Sequence, residues 1–336
     1  MYTKEGYIDF NYIMKDANVF KFLIGGRGSG KTFGAIQWAL QNHKTMLFMR
    51  RTQTQIDLIR NDNFSPFAAV DKSIYVKSIN KNLAGLYHGD EAGAEGVPIG
   101  YMCALSTIAN IRGFDASMVD LIIYDEFIGE AHERSIKNEG QAFLNAYETI
   151  NRNRELQGKK PVQVLALANS NMLANPIFVE LNLVSAVERM LKNATYVYKN
   201  RARNVSVYMI MHSPVLDKKQ HTALYQLAGD TDFSRMALKN QFTTEEMDHI
   251  APQDLRQYKM ICTVGEIAIY KHKSTKTYYV TDHISGTTEN IYTAGPMDLK
   301  RFRRDQYFLW LAYLGGRILF ESYIFKVLFE RYFQFT

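Results

Sequence analysis

The sequence predicts an α/β protein in which a mostly parallel sheet with flanking helices is followed by a smaller α+β domain. Three observations favour this class. Short apolar runs alternate with longer segments between residues 19 and 168, which is typical of a parallel sheet covered by helices. A glycine-rich turn joins the first apolar run directly to a stretch with helical spacing. Past about residue 205, charged and turn residues mix with short apolar clusters, which indicates a linker and then a second domain.

Length and composition agree with this class. The chain has 336 residues, of which 46% are hydrophobic and 22% charged, so it can bury a large core and divide into two domains. Cys103 and Cys262 lie too far apart in the sequence to indicate a disulfide framework or a metal knuckle. The first residues lack the layout of a signal peptide, and no apolar run approaches the roughly 20 residues of a membrane span. We therefore expect a cytosolic protein without a membrane partner.

The first domain is predicted over residues 1–207, with five strands and one clearly patterned helix. The helix, Lys31 to Gln41, carries apolar side chains at helical spacing. Each strand is a short apolar run, and the five are Val19 to Ile24, Thr45 to Met49, Gly100 to Leu105, Val119 to Tyr124 and Val162 to Ala168.

Residues 208–240 are predicted as a linker and residues 241–336 as the C-terminal domain. Within that domain, MICTVGEIAIYKHKSTKTYYVTDHI reads as a hairpin with KHKST at its turn. The aromatic-rich end, DQYFLWLAYLGGRILFESYIFKVLFERYF, contains too many charged residues for a membrane anchor. We expect it to form a helix that packs on the C-terminal sheet and exposes one charged face.

Gly25 to Thr32 matches the pattern G-x-x-x-x-G-K-[ST] in full, between a predicted strand and a predicted helix. That context is the one a phosphate-binding P-loop requires. Glycines let the backbone wrap closely, so that N–H groups and the helix N-terminus face phosphate oxygens. We expect Lys31 to reach the β- and γ-phosphates and Thr32 to coordinate Mg²⁺. The predicted nucleotide-binding residues are Gly25, Gly26, Arg27, Gly28, Ser29, Gly30, Lys31 and Thr32.

A second motif supplies acids for the metal. In VDLIIYDEF, four apolar residues end in Asp125 and Glu126, which is a Walker B pattern. Asp125 at the end of the strand is expected to hold Mg²⁺ together with Thr32, and Glu126 to orient or deprotonate the attacking water. A second acid after the aspartate points toward hydrolysis of the nucleotide.

Other polar residues near these motifs are weaker candidates. Asn169 or Ser170 ends the next predicted strand, where an amide can sense the γ-phosphate or hold the water, although a plain strand-ending turn is nearly as good a reading. Arg152 and Arg154 follow the Walker B acids by about one helix, so that either can reach the γ-phosphate of a neighbouring subunit. Aromatic residues before the P-loop, Phe10 or Tyr12, either stack on the base or pack on the sheet.

Taken together, these motifs resemble those of the DNA-packaging ATPases of small tailed phages of the phi29 type, distant relatives of large terminase subunits. The resemblance rests on FLIGGRGSGKT, LIIYDEF, NRNRE, ALANSN followed by NPIF and LNLV, and MALKNQF. It covers most of the first 245 residues and fades in the C-terminal domain. IRGFD at residues 111–115 also resembles the run that terminases carry ahead of Walker B.

The resemblance implies a molecular motor. Its members form a ring of identical subunits, expected to be five, which sits at the capsid portal and uses ATP and Mg²⁺ to drive double-stranded DNA inward. The protein would act in the host cell cytoplasm and transiently at the portal vertex of the procapsid. A structural packaging RNA is a further candidate partner. The implied fold is a P-loop NTPase of the additional-strand (ASCE) type joined to an RNase H-like domain.

The resemblance also assigns roles to single residues. Arg152 matches the arginine that acts in trans, and Arg154 is the fallback. Arg27 matches the arginine that terminase-like motors place inside the P-loop, where it contacts the γ-phosphate or the Walker B acid. True terminases cut DNA with clustered carboxylates, but Glu266 and Asp282 do not form a convincing set here, so we expect no nuclease activity.

DNA contacts are expected to reach phosphates rather than bases, because a motor must move along any sequence. The candidates are basic clusters at Arg50/Arg51, Lys77/Lys81, Lys218/Lys219 and Lys271/Lys273/Lys276, although Arg50 and Arg51 can equally serve the nucleotide. Two other functions stay open at this point. One is a monomeric P-loop kinase or GTPase, although NKNL at residues 80–83 lacks the acid of a GTPase base-reading motif. The other is a capsid-binding module that binds ATP without hydrolysing it.

Overall fold

The computed structural model describes residues 1–60, 64–89, 96–111, 113–129, 136–169, 175–210, 213–231, 234 and 249–334. The chain divides into two compact units. The first comprises Met1–Leu181 and Arg189–Phe242, and the second comprises Asn182–Glu188 and Thr243–Thr336. Three positions of the sequence analysis lie outside the described residues, namely Ser170, Arg112 within IRGFD, and the segment MALKNQF.

A nine-stranded sheet forms the centre of the first unit. Its strands are β1 (Phe20–Gly25), β2 (Met46–Arg50), β3 (Ile74–Asn80), β4 (Leu83–His88), β5 (Gly100–Ala104), β6 (Leu121–Asp125), β7 (Gln163–Ala168), β8 (Val197–Asn200) and β9 (Val205–Ile210). Their order is β3-β4-β5-β2-β6-β7-β1-β9-β8. Six adjacent strands pair in parallel, namely β5, β2, β6, β7, β1 and β9. The outer strands β3, β4 and β8 pair antiparallel with their neighbours. The predicted mostly parallel sheet is confirmed.

Helices connect and cover these strands. They are α1 (Phe10–Met14), α2 (Lys31–Gln41), α3 (Gln53–Ile59), α4 (Glu139–Asn151), α5 (Pro176–Glu180), α6 (Val184–Lys192), α7 (Pro214–Lys219) and α8 (Ala223–Ala228), and α6 contains residues of both units. Helix α2 has the predicted bounds. Each of the five predicted strands is present, with ends shifted by one or two residues. Strand β9 extends past residue 207, the predicted end of the first domain, and pairs with β1.

The central strands are buried on both faces, which explains their continuous apolar sequences. Successive side chains of a strand point to opposite faces. On one face of β1, the ring of Phe22 makes edge contacts with Phe127 at 5.4 Å and Phe178 at 5.3 Å between centroids. On the other face, Leu23 belongs to the apolar cluster that contains Ile36 of α2. These two layers fix β1 and α2, and therefore the turn between them.

A buried polar cluster lies at the other end of β1, where the strand begins. The Asp16 carboxylate is 4% exposed and accepts hydrogen bonds from Ser206 Oγ at 2.7 Å and Tyr208 Oη at 2.6 Å. Lys199 Nζ lies 3.0 Å from the same carboxylate. Burial opposes the charged form, but the hydroxyl groups of Tyr208 and Ser206 hold the pKa of Asp16 below its usual range. The cluster joins the start of β1 to β9. It lies at the opposite end of β1 from Gly25, so it does not belong to the P-loop pattern.

The second unit contains a five-stranded sheet. Its strands are β10 (Tyr258–Val264), β11 (Ile267–His272), β12 (Tyr278–Thr281), β13 (Ile291–Tyr292) and β14 (Ile318–Phe320), in the order β13-β10-β11-β12-β14. Strands β10, β11 and β12 form an antiparallel meander, and β13 and β14 each add in parallel at an edge. The predicted hairpin, with KHKST at its turn, is therefore one half of a meander. The other half is made by a second tight turn between β10 and β11, which Gly265 permits at a φ of 52°.

The C-terminal segment was predicted as one helix, and this is wrong in the structure. Helix α9 (Pro296–Asp305) ends where that segment begins, and the segment itself forms α10 (Tyr307–Leu314), strand β14 and α11 (Tyr323–Phe333). Gly315 and Gly316 end α10, and Gly316 has a φ of 65°, a conformation that residues with a Cβ atom rarely adopt. In the part of the chain that the structure describes, no helix is long and apolar enough to cross a membrane.

Candidate active site

The segment Gly25–Thr32, here called the glycine loop, connects β1 to α2 at the carboxyl edge of the sheet. Gly28 and Gly30 have φ angles of 83° and 85°, which favour glycine over any residue with a Cβ atom. Space is limited as well, because a Cβ on Gly30 would lie 2.9 Å from Tyr7 Cδ1. The glycines therefore allow a tight backbone cradle that side chains would fill.

Lys31 is the first residue of α2, and its ammonium group turns back over the glycine loop. Its Nζ donates hydrogen bonds to the carbonyl oxygens of Gly25 at 2.7 Å and Gly26 at 2.9 Å, and to Ser29 Oγ at 3.2 Å. Lys31 is only 5% exposed, and burial lowers the pKa of its ammonium group to about 7, partly offset by Asp125 and Glu126. A buried cation held by three neutral oxygens is well placed to pair with a phosphate.

Thr32 and Asp125 meet across the carboxyl edge of the sheet. Thr32 Oγ1 donates to Asp125 Oδ1 at 3.0 Å and lies 3.1 Å from Oδ2. Asp125 ends β6 and is 2% exposed, and burial raises the pKa of its carboxyl group although Arg50 acts to lower it. A hydroxyl and a carboxylate oxygen are ligands that Mg²⁺ prefers. The residues present therefore fit the expected metal.

Arg50 connects both Walker B acids, a role that the sequence left undecided between DNA and nucleotide. Strands β2 and β6 pair in parallel with Met49 opposite Tyr124, so Arg50 at the end of β2 lies beside Asp125. Arg50 Nη2 is 2.7 Å from Asp125 Oδ2, and Nη1 pairs with the carboxylate of Glu126. Glu126 itself has a φ of 55°, an uncommon backbone conformation for glutamate. Its side chain is 39% exposed, so it reaches toward solvent at the site.

Arg51, the other half of that basic pair, points into the protein. Its Nε donates to Glu139 Oε1 at 2.7 Å and its Nη2 to Oε2 at 2.9 Å, and Arg51 and Glu139 are 4% and 2% exposed. Glu139 is the first residue of α4. This bidentate pair holds α4 next to β2, so Arg51 is not accessible to DNA or to a nucleotide.

Two other predicted residues lie at the same edge of the sheet. Arg27 is exposed in the glycine loop. Asn169 follows β7, which lies between β1 and β6, with Ala168 opposite Ile24 of β1. The end of β7 therefore places Asn169 between the glycine loop and the Walker B acids. The structure brings together all the predicted site residues except the two arginines after α4.

Those two arginines lie near the opposite edge of the sheet in their own chain. Arg152 caps the C-terminus of α4 with a φ of 46°, and its Nη2 donates to the Phe114 carbonyl at 2.7 Å. Arg154 Nη2 lies 3.7 Å from Asp120 Oδ1, and Asp120 immediately precedes β6. Because Asp125 ends the same strand, β6 separates these arginines from the acids.

The aromatic residues near the glycine loop differ from those predicted. Phe10 is 4% exposed and packs on α2, where a Cβ on Gly34 would lie 2.7 Å from its ring, so it is not available to a base. Tyr12 is 45% exposed. Tyr7, which the sequence analysis missed, is equally exposed and contacts Gly30 of the loop. The only feature of the sequence that could have indicated Tyr7 is that it is an aromatic residue in the segment before β1.

In the second unit, the two acids considered for a nuclease site lie on different turns. Glu266 lies in the turn between β10 and β11, where its backbone N–H approaches Tyr332 Oη at 3.4 Å. Asp282 follows β12 and lies with His283 and Glu321, with ligand atoms within 4.8 Å of one another. His283 faces both carboxylates, and Asp282 and His283 are exposed. This arrangement reads as a surface ion-pair group, and the expected lack of nuclease activity stays a prediction.

The chain is similar to known proteins by family model, by sequence and by fold. The family model described as podovirus DNA encapsidation protein (Gp16) matches residues 2–304. The chain is 22% identical over 328 residues to a DNA packaging protein of Bacillus phage B103, and the aligned region covers 92% of this chain and 95% of the relative. It is 23% identical over 291 residues to the DNA packaging protein of Bacillus phage phi29, and that aligned region covers 84% of this chain and 80% of the relative. Among solved structures, the bacteriophage phi29 viral genome packaging motor assembly contains a chain with the same fold, at a TM-score of 0.67, 16% identity and coverage of 98% and 100%.

Proposed function

The chain belongs to the podovirus DNA encapsidation protein family, and from that premise we propose that it hydrolyses ATP at the glycine loop to drive double-stranded viral DNA through the portal into a preformed capsid. The observation that carries this proposal is the contact of Thr32 Oγ1 with Asp125 Oδ1 at 3.0 Å, beside the buried ammonium group of Lys31. Together these groups supply phosphate binding and metal binding within one edge of the sheet.

The proposed nucleotide site divides its work among a few side chains. The backbone N–H groups of the glycine loop and Lys31 bind the phosphates. Thr32 and Asp125 would hold Mg²⁺, which neutralises charge on the phosphate oxygens when it is bound. Glu126 accepts a proton from the attacking water, and Asn169 helps to orient that water. Arg27, exposed in the loop, is a further cation for the γ-phosphate.

Arg50 controls Glu126 in this proposal. A carboxylate oxygen that accepts a hydrogen bond from a guanidinium group is already occupied, and the Glu126 carboxylate is held in this way by Arg50. Release of Glu126 from Arg50 would therefore precede proton transfer from water. Since Arg50 also contacts Asp125, a change at the metal-binding acid can alter the Arg50–Glu126 pair directly.

A neighbouring subunit is proposed to complete the site. Arg152 and Arg154 are separated from the acids of their own chain by the length of β6, so neither serves its own nucleotide in this structure. Arg152 is exposed and its side chain donates to the Phe114 carbonyl, whereas Arg154 is half-buried and pairs with Asp120. We therefore favour Arg152 as the trans-acting arginine and keep Arg154 as the alternative. A closed ring, which we propose has five subunits, would present Arg152 of one chain to the next.

The fold supports the same proposal. Strand β7 lies between β1 and β6, as the additional-strand (ASCE) type of P-loop fold requires. We also propose an RNase H-like origin for the second unit, on the basis of its three-stranded meander with a parallel strand at each edge. The protein would act in the host cytoplasm and at the procapsid portal, with a packaging RNA as a further candidate partner.

Steady-state ATP hydrolysis by the purified chain, with and without duplex DNA, tests the proposal. We expect turnover to rise with duplex DNA and to fall as salt is added, because phosphate contacts release counterions. Lys31→Ala is expected to lose nucleotide binding, and Glu126→Gln to bind ATP without turnover. Lys44→Ala, an exposed lysine beyond α2, is the control and should behave like the wild type. Turnover at full rate by a single chain, independent of DNA and of protein concentration, would contradict the motor function.

A further inference from the structure

A second lysine reaches the glycine loop from outside the motif. Lys219, the last residue of α7, donates a hydrogen bond from Nζ to the carbonyl oxygen of Arg27 at 2.9 Å. A Cβ on Gly28 would lie 2.8 Å from the same Nζ, so glycine at this position leaves room for the ammonium group. Lys219 was considered above as a DNA contact, but its side chain lies along the loop.

The position of Lys219 is fixed by contacts of α7 with the N-terminal segment. Ser213, which precedes α7 and is buried, donates from Oγ to the Gly6 carbonyl at 2.6 Å. A Cβ on Gly6 would lie 2.8 Å from the backbone nitrogen of Val215, so the two segments pack closely. On the other side, Lys219 Nζ lies 5.4 Å from the centre of the Tyr225 ring. The ammonium group is therefore held at the loop by its surroundings on both sides.

The charges around the loop indicate what this lysine binds. Lys219 and Arg27 both act to lower the pKa of Lys31, which shows that three cations share one small region. In the described part of the chain, the Lys31 and Lys219 ammonium groups donate to neutral oxygens. Asp125 and Glu126 act on Lys31 from the Walker B side, and an anion bound in the loop would attract all three cations. A nucleotide base carries no charge at neutral pH, so the phosphates are the part of the ligand that fits.

We propose that Lys219 is a second phosphate-binding lysine that contacts the terminal phosphate of a bound nucleoside triphosphate. The inference rests on the proposed function, because it needs a nucleotide in the glycine loop. On ATP binding, Lys219 exchanges the Arg27 carbonyl for a charged oxygen, which is a stronger acceptor. Loss of that phosphate returns the lysine to the carbonyl. Helix α7 is then the element whose contacts with the loop differ between the ATP and ADP states.

Equilibrium binding of two nucleotides tests this assignment, in the full chain, with Mg²⁺ and without DNA. The probes are ADP and the non-hydrolysable ATP analogue AMP-PNP. Lys219→Met keeps an aliphatic side chain against Tyr225 but removes the charge. It is expected to weaken AMP-PNP by about tenfold or more and ADP by less than about threefold, since a charged hydrogen bond to the terminal phosphate is lost. Lys219→Arg should retain AMP-PNP affinity, and Lys44→Ala, a change at an exposed lysine beyond α2, should leave both affinities unchanged.

Selective loss of AMP-PNP affinity, restored by arginine, would support the assignment. Equal weakening of both nucleotides, unchanged AMP-PNP affinity, or an equal effect of Lys44→Ala would overturn it. Thermal unfolding of each variant separates misfolding from loss of a contact, and Lys219→Arg gives a second readout if Lys219→Met is unstable. A wild-type chain that binds neither nucleotide would refute the proposed function itself. A wild-type chain that binds both, with no discrimination by Lys219→Met, would refute only the role of Lys219.

Discussion

Removal of the Arg50 guanidinium group by Arg50→Met should destabilise the first unit in a pH-dependent way. Asp125 is 2% exposed, and its contacts are the Arg50 Nη2 at 2.7 Å and the Thr32 hydroxyl at 3.0 Å. Removing one partner of a buried ion pair leaves a charge without compensation and typically costs about 3–5 kcal/mol. Because Thr32 remains bonded to the carboxylate, we expect a loss of roughly 2–3 kcal/mol in the free energy of unfolding at pH 8.

The sign of the pH dependence follows from Asp125. Burial already raises the pKa of this carboxyl group in the folded chain, and Arg50 opposes that rise. Without Arg50 the folded pKa rises further, so the folded state binds a proton more readily than the unfolded state. The stability of Arg50→Met therefore falls as pH increases from the unfolded value of about 3.9 through the raised folded pKa. Acidification to pH 5 should recover part of the lost stability.

Urea unfolding of the full chain at pH 5 and pH 8, followed by tryptophan fluorescence and circular dichroism, measures the effect. Arg256→Met is the control, because Arg256 pairs with Asp254 on the surface of the second unit and its side chain is 90% exposed. No measurable change is expected for that variant. A loss that is the same at both pH values, or that grows on acidification, would refute the argument that Arg50 compensates a buried Asp125 charge.

Three further predictions follow from the structure. Arg152→Ala should bind ATP with unchanged affinity and lose turnover, and mixing it with Glu126→Gln subunits should restore part of that turnover; no rescue at any mixing ratio would make the trans assignment untenable. ATP binding at pH 8 should take up close to one proton, because the pKa of Lys31 is about 7 in the free chain and rises beside a phosphate; calorimetry of the wild-type chain in two buffers with different ionisation enthalpies measures the uptake, and an uptake near zero would refute Lys31 as the source. Asp16→Ala should cost about 2–4 kcal/mol of stability by urea unfolding at pH 7, because it removes the acceptor of the buried Ser206 and Tyr208 hydroxyl groups and the partner of Lys199; an unchanged unfolding midpoint would contradict a structural role.

The sequence predicted the centre of the main sheet better than its edges. The central strands read as continuous apolar runs because helices cover both of their faces. Strand β3 was missed because its second half, from Lys77 to Asn80, is exposed and three of its four residues are polar. Strand β9 is buried along its whole length, but the polar sequence that follows it suggested a linker. In the C-terminal segment, aromatic residues were frequent enough to suggest a continuous helix, and only Gly315 and Gly316 marked the interruption.

The candidate site shows the same division between local and distant information. The glycine loop and the Walker B acids are contiguous in sequence, so their residues could be named without a structure. Lys219 could not, and Arg50 could be named only as an alternative to a DNA contact, because each reaches the site from a separate element. Strand order places Arg50 beside Asp125, and the packing of α7 on the segment around Gly6 places Lys219 at the loop. Neither placement follows from spacing, since both depend on which strands and helices become neighbours.

The position of the two arginines after α4 restricts how copies of the chain can assemble if one of them acts in trans. The acids lie where β6 ends, and Arg154 is bound to Asp120 where β6 begins. One copy must therefore present the amino edge of its sheet to the carboxyl edge of the next. A two-fold dimer uses the same patch on both copies, so a contact between unlike edges is instead head-to-tail, and head-to-tail contacts form a ring where the rotation closes and an open filament where it does not. If Arg152 acts in trans, it therefore needs a head-to-tail assembly, such as the proposed ring, to reach the nucleotide of another copy, and turnover should then depend on assembly.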